Sequence, residues 1–214
     1  MPDIDFPRIF ILFAVLLFSL TVHEAAHAWS ADRLGDSTAR SLGRLSLNPL
    51  VHIDPIGTLL FPLLALVANV PLLGWAKPVP VDVRRLRHTG RDYVLVAAAG
   101  PASNLVLAIV AALALRLLPV SPVTIGEANV SVPAASIFSS ALQINVLLAV
   151  FNMIPIPPLD GGNVIGGLLP RELAKRYDSL IRPYGFLLLY ALMLTSGLSY
   201  LIGPPTRLLL SILQ

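Results

Sequence analysis

Long apolar runs separated by shorter polar stretches dominate the pattern of this chain. A helix needs about 20 mostly apolar residues to cross the hydrocarbon core of a bilayer. Four runs are long enough, at residues 7–30, 92–118, 134–154 and 184–202, whereas the apolar segment 206–213 is too short to cross alone. The pattern predicts an all-α polytopic membrane protein, a bundle of about five transmembrane helices forming a single domain over residues 1–214.

Another apolar run, at residues 56–73, is interrupted by Pro62 and Pro71 and preceded by Pro55. We predict a membrane-inserted, re-entrant segment here instead of a full crossing, with Pro62 at the turn, because the spans 7–30 and 134–154 then run in the same direction and bring His27 and Asp160 to one side of the membrane. The basic stretches 33–44, 77–91 and 171–182 would then all lie on one side of the membrane, which the excess of Lys and Arg predicts to be the cytoplasm.

The polar connections carry two patterns that favour extended backbone. Leucine alternates with polar residues at 42–47, and proline alternates with other residues at 77–83. We predict short β segments at both places. The stretch that contains Arg171, Lys175 and Arg182 is predicted to be a polar loop.

A polar stripe interrupts the first apolar run. Ser19, His23, His27 and Ser30 recur at near-helical spacing, and lipid cannot solvate them, so they must face the bundle interior or a water-filled cavity. The His-Glu-Ala-Ala-His motif that begins at His23 places two imidazoles one helical turn apart, where both can bind one Zn²⁺, with Glu24 beside the metal. The plainer alternative is a pair of buried core histidines next to a stray glutamate.

The amino-acid composition limits the kinds of functional site that the chain can form. Hydrophobic residues make up 56% of the chain and charged residues 13%, and mean hydropathy is +0.79. The absence of cysteine excludes disulfides and thiolate metal ligands. The isoelectric point near 9.6 comes from basic residues in the connections between apolar runs, which is typical of membrane proteins and gives no support to nucleic-acid binding.

A catalytic zinc site needs a third protein ligand. The aspartates that remain as candidates are Asp54, Asp82, Asp92 and Asp160. We favour Asp160, because it ends an apolar span, follows a stiff proline run and precedes two glycines that allow a tight turn.

The chain resembles the site-2 proteases, a family of intramembrane zinc metalloproteases, over about residues 10–165. The resemblance rests on three motifs that occur in the family's order: His-Glu-Ala-Ala-His at 23–27, Ala99-Gly100-Pro101 with Asn104, and Asn152 with Pro155 and Leu159-Asp160-Gly161. It is nearest to the compact members, which have no peptide-binding domain inserted between the spans.

This resemblance implies that His23, His27 and Asp160 bind Zn²⁺ and that Glu24 is the general base. It also implies that Asn152 positions the substrate or stabilises the oxyanion. The expected reaction is hydrolysis of peptide bonds in or near transmembrane segments of other proteins, within the lipid bilayer. The expected location is the plasma membrane of a prokaryote. The extended segments predicted at 42–47 and 77–83 could capture the substrate as an added strand.

Other polar residues have structural explanations. We interpret Asn145 as a helix–helix hydrogen-bonding residue, and Gly100, Pro101 and Asn104 as packing and kink residues near the site. His52 and Asp54 either support the site or form a capped turn.

The main functional alternative is a metal transporter or metal-regulated channel, because buried His and Asp also mark ion pathways. Glu24 discriminates between the two, since a transporter has no use for a general base at that position. A proteolytically inactive scaffold is disfavoured because every expected catalytic position is filled.

Overall fold

The computed structural model describes residues 6–60, 64, 75–117 and 134–214. The helices in these residues are α1 (Phe6–Arg33), α2 (Thr38–Ser41), α3 (Thr89–Leu117), α4 (Ala134–Asn152), α5 (Asp160–Leu168), α6 (Arg171–Leu180), α7 (Gly185–Leu194) and α8 (Gly197–Leu213). Single 3₁₀ turns lie at Pro49–Val51, Val83–Arg85 and Arg182–Tyr184, and Pro55–Leu60 forms a π-helical turn. The all-α prediction is confirmed for the described residues.

Helices α1, α3 and α4 are long and apolar enough to cross a membrane. They correspond to the predicted spans 7–30, 92–118 and 134–154. A fourth span results only if the bent pair Arg171–Leu194 and α8 is taken as one crossing. Within the described residues there are thus three or four candidate spans, fewer than the five predicted. Most of the predicted re-entrant segment, residues 61–63 and 65–73, lies outside the described residues.

The region predicted as a span at 184–202 contains the whole of α7 and the start of α8. The two helical stretches meet at a bend of 82°. At the break, the Thr195 hydroxyl donates to the carbonyl of Ala191 and accepts from the N–H of Gly197. Hydropathy does not register this local capping. Residues 206–213, predicted as a separate apolar segment, are the last part of α8.

The predicted β segments are wrong, because neither 42–47 nor the 77–83 stretch forms a strand. Gly43 adopts a left-handed conformation with φ of +67° that turns the chain inside the first segment. In the second segment Pro78 and Pro80 have no N–H to donate to a ladder. The N–H of Val79 bonds to the side chain of Glu24, that of Asp82 to the side chain of Asp36, and that of Lys77 to the carbonyl of His52.

Two helices, α5 and α6, replace the loop predicted after Asp160. In α6 the Tyr177 hydroxyl donates to the carbonyl of Pro155 across 3.0 Å. Arg182, just beyond α6, reaches the side chain of Asn163 on α5. The charged side chains of α6 are exposed, so this helix has the polar composition that led us to predict a loop.

Helix α3 lies at the centre of the bundle and contacts α1, α4 and α5. Small residues allow this close approach: Ala108, Ala111 and Ala112 pack against Leu142 and Val146 of α4. Helices α1 and α3 run in opposite directions, because His23 contacts Asn104 while His27 contacts Val96. Helices α1 and α4 run in the same direction: Ser19 contacts Asn145, and His23 and His27, later in α1, meet Asp160, which follows the end of α4. The C-terminal ends of α1 and α4 therefore reach the same end of the bundle.

Candidate metal centre

The polar stripe of α1 faces the interior of the bundle, as predicted. Ser19 is 0% exposed, His23 4%, His27 9% and Ser30 8%. These side chains lie against α3 and α4 near the C-terminal half of α1. Burial of two imidazoles in an apolar bundle is unfavourable unless each polar atom has a partner.

Three side chains converge at one point: His23, His27 and Asp160. Nε2 of His23 lies 3.1 Å from Nε2 of His27 and 3.1 Å from Oδ2 of Asp160. Nε2 of His27 lies 3.4 Å from Oδ1 of Asp160. Ligand atoms bound tetrahedrally to one Zn²⁺ at 2.0–2.1 Å lie roughly 3.3 Å apart, so these separations suit two imidazoles and one carboxylate on a common ion.

The hydrogen bonds around the imidazoles favour a cation at this point. Nδ1 of His23 faces Oδ1 of Asn104 at 2.6 Å, and Nδ1 of His27 faces the carbonyl of Val96 at 2.7 Å. With the protons on Nδ1, both Nε2 lone pairs point at a carboxylate whose Oδ2 is buried without a hydrogen-bond donor. Three acceptors this close repel one another unless a cation lies between them. The donor set of two imidazoles and one carboxylate suits Zn²⁺.

Gly100 on α3 gives the imidazoles their space. A Cβ at this position would overlap Nε2 of His27 and lie 2.6 Å from Nε2 of His23. The helix backbone therefore forms one wall of the site. This role is more direct than the packing near the site that we predicted for Gly100.

Asp160 lies at the first residue of α5, not at the end of a span as predicted. The two glycines after it also act differently from the prediction, since neither adopts a left-handed backbone. A Cβ at Gly162 would lie 2.5 Å from the nitrogen of Pro157, and one at Gly161 would overlap the carbonyl of Met153. The glycines thus let α5 start directly against the proline loop, which positions the carboxylate.

The other aspartates considered as ligands lie elsewhere and form local caps. Asp54 accepts from the N–H groups of Ile56 and Gly57, and Asp92 accepts from that of His88. Asp82 accepts from the guanidinium and the N–H of Arg84, which hold the pKa of its carboxyl below the ordinary value. Among the described residues, Asp160 is the carboxylate that meets the histidines.

Glu24 follows His23 in α1, and its carboxylate contacts the 75–82 segment. The backbone N–H of Val79 donates to Oε2 of Glu24 across 2.8 Å. Arg44, which is 8% exposed, secures the same segment by donating to the carbonyls of Lys77 at 2.6 Å and Pro78 at 3.4 Å. Sequence reasoning missed this contact, because the donor is a main-chain group. The one available signal was that Val79 alone carries an N–H in Pro78-Val79-Pro80.

Buried groups also tie the two ends of this segment to the connection after α1. Asp36, which is 0% exposed, accepts from the N–H groups of Thr38 and Asp82. The carbonyl of His52 accepts from the N–H of Lys77. The polar cluster around His52 and Asp54 thus combines both predicted alternatives: Asp54 caps a turn, and the His52 carbonyl holds the segment that contacts Glu24.

Two asparagines of α4 behave differently. Asn145 is buried and bonds to Asn104 on α3 and Ser19 on α1, which confirms its predicted helix–helix role. Asn152 is half-buried, and its amide donates to the carbonyl of Leu148 in its own helix at 3.0 Å. Its role toward a substrate stays a prediction.

Comparison with known proteins identifies the family. Residues 11–192 match the family model "Peptidase family M50". The chain is 39% identical over 193 residues to "Putative zinc metalloprotease YwhC" of Bacillus subtilis (strain 168), covering 90% of this chain and 84% of that protein. It is 32% identical over 198 residues to "Putative zinc metalloprotease Rip2" of Mycolicibacterium smegmatis, covering 92% and 71%. No solved structure gives a significant match. The resemblance noted from the motifs is thus confirmed, and the chain belongs to peptidase family M50, the site-2 protease family.

Proposed function

We propose that this metalloprotease is an intramembrane zinc endopeptidase that hydrolyses peptide bonds in or near transmembrane segments of membrane proteins. One observation carries the proposal. The His23, His27 and Asp160 cluster, next to Glu24, lies inside a bundle of helices long and apolar enough to cross a bilayer. The bilayer and a transmembrane protein substrate are the partners that such a buried site suits.

His23, His27 and Asp160 are the proposed ligands of Zn²⁺. The bound ion supplies Lewis acidity, which polarises the scissile carbonyl and makes water a better nucleophile near neutral pH. Glu24 takes a proton from the attacking water and delivers it to the leaving amine. Because Val79 holds Oε2 of Glu24, the other carboxylate oxygen remains for this proton transfer.

Asn152 is the proposed donor to the developing oxyanion or to the substrate backbone. It ends α4, eight residues before Asp160, at the end of the bundle that holds the site. One amide proton is used on Leu148, so the second is left for a substrate. A donor placed where negative charge develops stabilises the transition state more than the ground state.

We further propose that the site end of the bundle faces the cytoplasm, with residues 56–73 entering and leaving the membrane there. The N–H of Trp75 donates to the carbonyl of Gly57, and the N–H of Arg87 donates to the carbonyl of Leu34. The chain before and after this segment thus lies at one end of the bundle. The basic stretches 33–44, 77–91 and 171–182 belong to that end, which supports a cytoplasmic placement.

The location we propose is the plasma membrane of a prokaryote, in keeping with the bacterial sources of the matched relatives. The metal-transporter alternative has no support from these relatives, which are named as proteases. The presence of a glutamate at position 24, beside the proposed ligands, also favours hydrolysis, because metal transport needs no general base there.

Co-expression with candidate single-span membrane proteins tests the proposed function. The intact chain should convert the full-length substrate to shorter products, and the Glu24→Gln variant should leave the substrate intact at equal expression. Glu24→Gln keeps the shape of the side chain while removing its basicity, so it is a matched control. Equal processing by both chains would overturn the proposal.

A further inference from the structure

Ser19, Asn104 and Asn145 form a buried chain of hydrogen bonds that ends on His23. Asn145 contacts Ser19 and Asn104, and Asn104 contacts Nδ1 of His23 at 2.6 Å. Ser19 and Asn104 are 0% exposed and Asn145 is 1% exposed. Water therefore cannot replace any member of this chain without rearrangement of α1, α3 and α4.

Main-chain carbonyls that contact Asn145 and Asn104 fix which atom of each amide donates and which accepts. The carbonyl of Ala141 lies 2.8 Å from the Asn145 amide nitrogen, and a carbonyl can only accept. The NH₂ group of Asn145 must therefore face Ala141 and the Ser19 hydroxyl, which leaves Oδ1 toward Asn104. The wrong orientation would set two oxygens against each other in a buried site.

The same logic fixes Asn104. Its NH₂ group donates to Oδ1 of Asn145 at 2.9 Å and faces the carbonyl of Ser19 at 3.4 Å. Its Oδ1 is then the atom that faces His23, and this oxygen can only accept. Nδ1 of His23 must carry the proton, so Nε2 presents its lone pair to Asp160 and to the metal.

We propose that Asn104 and Asn145 are positioning residues that set the Nδ1–H tautomer of His23 and so make Nε2 a metal-binding atom. The proposal rests on the zinc site proposed above and concerns what prepares that site. Asn145 acts through Asn104, because its side chain bonds to Asn104, Ser19 and the carbonyl of Ala141 and to none of the three ligands. A second hydrogen-bond shell of this kind orients a ligand and raises its affinity for the metal.

The tautomer of His27 is fixed in a different way from that of His23. Its Nδ1 bonds to the main-chain carbonyl of Val96, which fixes the same tautomer without help from a side chain. Substitutions of Asn104 and Asn145 should therefore weaken one ligand of three and leave the other two in place. We expect a partial loss of zinc affinity, not its abolition.

The test measures zinc affinity of the purified chain in detergent by competition with a chelator. Asn104→Leu and Asn145→Leu should each bind Zn²⁺ about 10–100-fold more weakly than the wild type. Asn104→Asp retains an acceptor for His23 but sets its second oxygen against Oδ1 of Asn145, so it should bind Zn²⁺ more tightly than Asn104→Leu and less tightly than the wild type. Gln143→Leu is the matched control: it makes a similar change on α4, but Gln143 is exposed and its amide donates to the hydroxyl of Ser139, away from the site. Unchanged affinity in both Leu variants would overturn the proposal.

A second measurement does not depend on the folding of the Asn104 and Asn145 variants. Nitrogen-15 NMR of the metal-free wild type, at a pH where imidazoles are neutral, distinguishes the two tautomers of His23, assigned with a His23→Asn variant. A proton on Nδ1 is expected, and a proton on Nε2 would overturn the proposal. Both readouts are separate from proteolysis: tight zinc binding without substrate cleavage would count against the proposed function and leave the positioning role standing.

Discussion

The N–H of Val79 donates a hydrogen bond to Oε2 of Glu24 across 2.8 Å, and it is the one backbone N–H available between Pro78 and Pro80. The contact joins residues 55 positions apart and places a connecting segment directly on the proposed general base. Since Arg44 holds the same segment by its carbonyls, the donor has a fixed position. The hydrogen bond therefore orients the carboxylate.

Replacing Val79 with proline removes this donor and keeps the proline-rich character of the segment. A hydrogen bond to a charged group is worth about 1.5–3 kcal/mol, so we expect cleavage to slow by roughly 10-fold or more while zinc remains bound. Val79→Ala, which keeps the N–H, should cleave at nearly the wild-type rate. The measurement is the cleavage rate per bound zinc, and a wild-type rate in Val79→Pro would show that the contact does not orient Glu24.

Gly100→Ala should disturb the imidazoles directly. The added Cβ would overlap His27 and crowd His23, and overpacking of this kind destabilises by about 1–3 kcal/mol. We expect weaker zinc binding and a lower melting temperature. Gly203→Ala on α8 is the control, because its Cβ would meet only the flexible side chain of Arg207 at 3.8 Å. Full zinc affinity in Gly100→Ala would mean that the site has more room than the structure indicates.

Asn152→Ala separates metal binding from catalysis. If Asn152 donates to the oxyanion, the variant should bind zinc normally and cleave about 10²–10³-fold more slowly. Metal content and turnover are measured on the same preparation. Turnover at the wild-type rate would restrict Asn152 to its hydrogen bond with Leu148.

Single cysteines at Ser41 and Arg85 test the membrane arrangement in this cysteine-free chain. Both positions belong to the site end of the bundle, so an impermeant thiol reagent should label them from the same face. Leu117→Cys, at the opposite end of α3, should react from the other face and serves as the control. Labelling of positions 41 and 85 from opposite faces would contradict the re-entrant arrangement of residues 56–73.

Much of the site could be predicted because its signals are local in sequence. The spacing of His23 and His27 predicts one helix face, and the apolar setting requires that this face be buried. Proline and glycine around Asp160 correctly indicated a residue held in place. They did not indicate the means, since the glycines allow close packing at a helix start and make no turn.

The missed features depend on contacts between distant residues or on main-chain groups. Asn104 meets His23 from 81 positions away, and the sequence predicted for it a packing role near the site in place of this hydrogen bond. The break at Thr195 was missed because a single hydroxyl caps the chain inside an apolar run. The predicted β segment at 77–83 failed because its donors serve Glu24 and Asp36 in place of a neighbouring strand.

The proposal that this chain is a zinc-dependent intramembrane protease is tested most directly by cleavage of a purified single-span substrate by the purified chain, with the products mapped by mass spectrometry. Cleavage should occur in or near the transmembrane segment, stop when a chelator removes the metal, and return with added Zn²⁺. Asp160→Ala should lose both the metal and the activity, because it removes one of three proposed ligands. Undiminished cleavage by Asp160→Ala or by the metal-free chain would contradict the account.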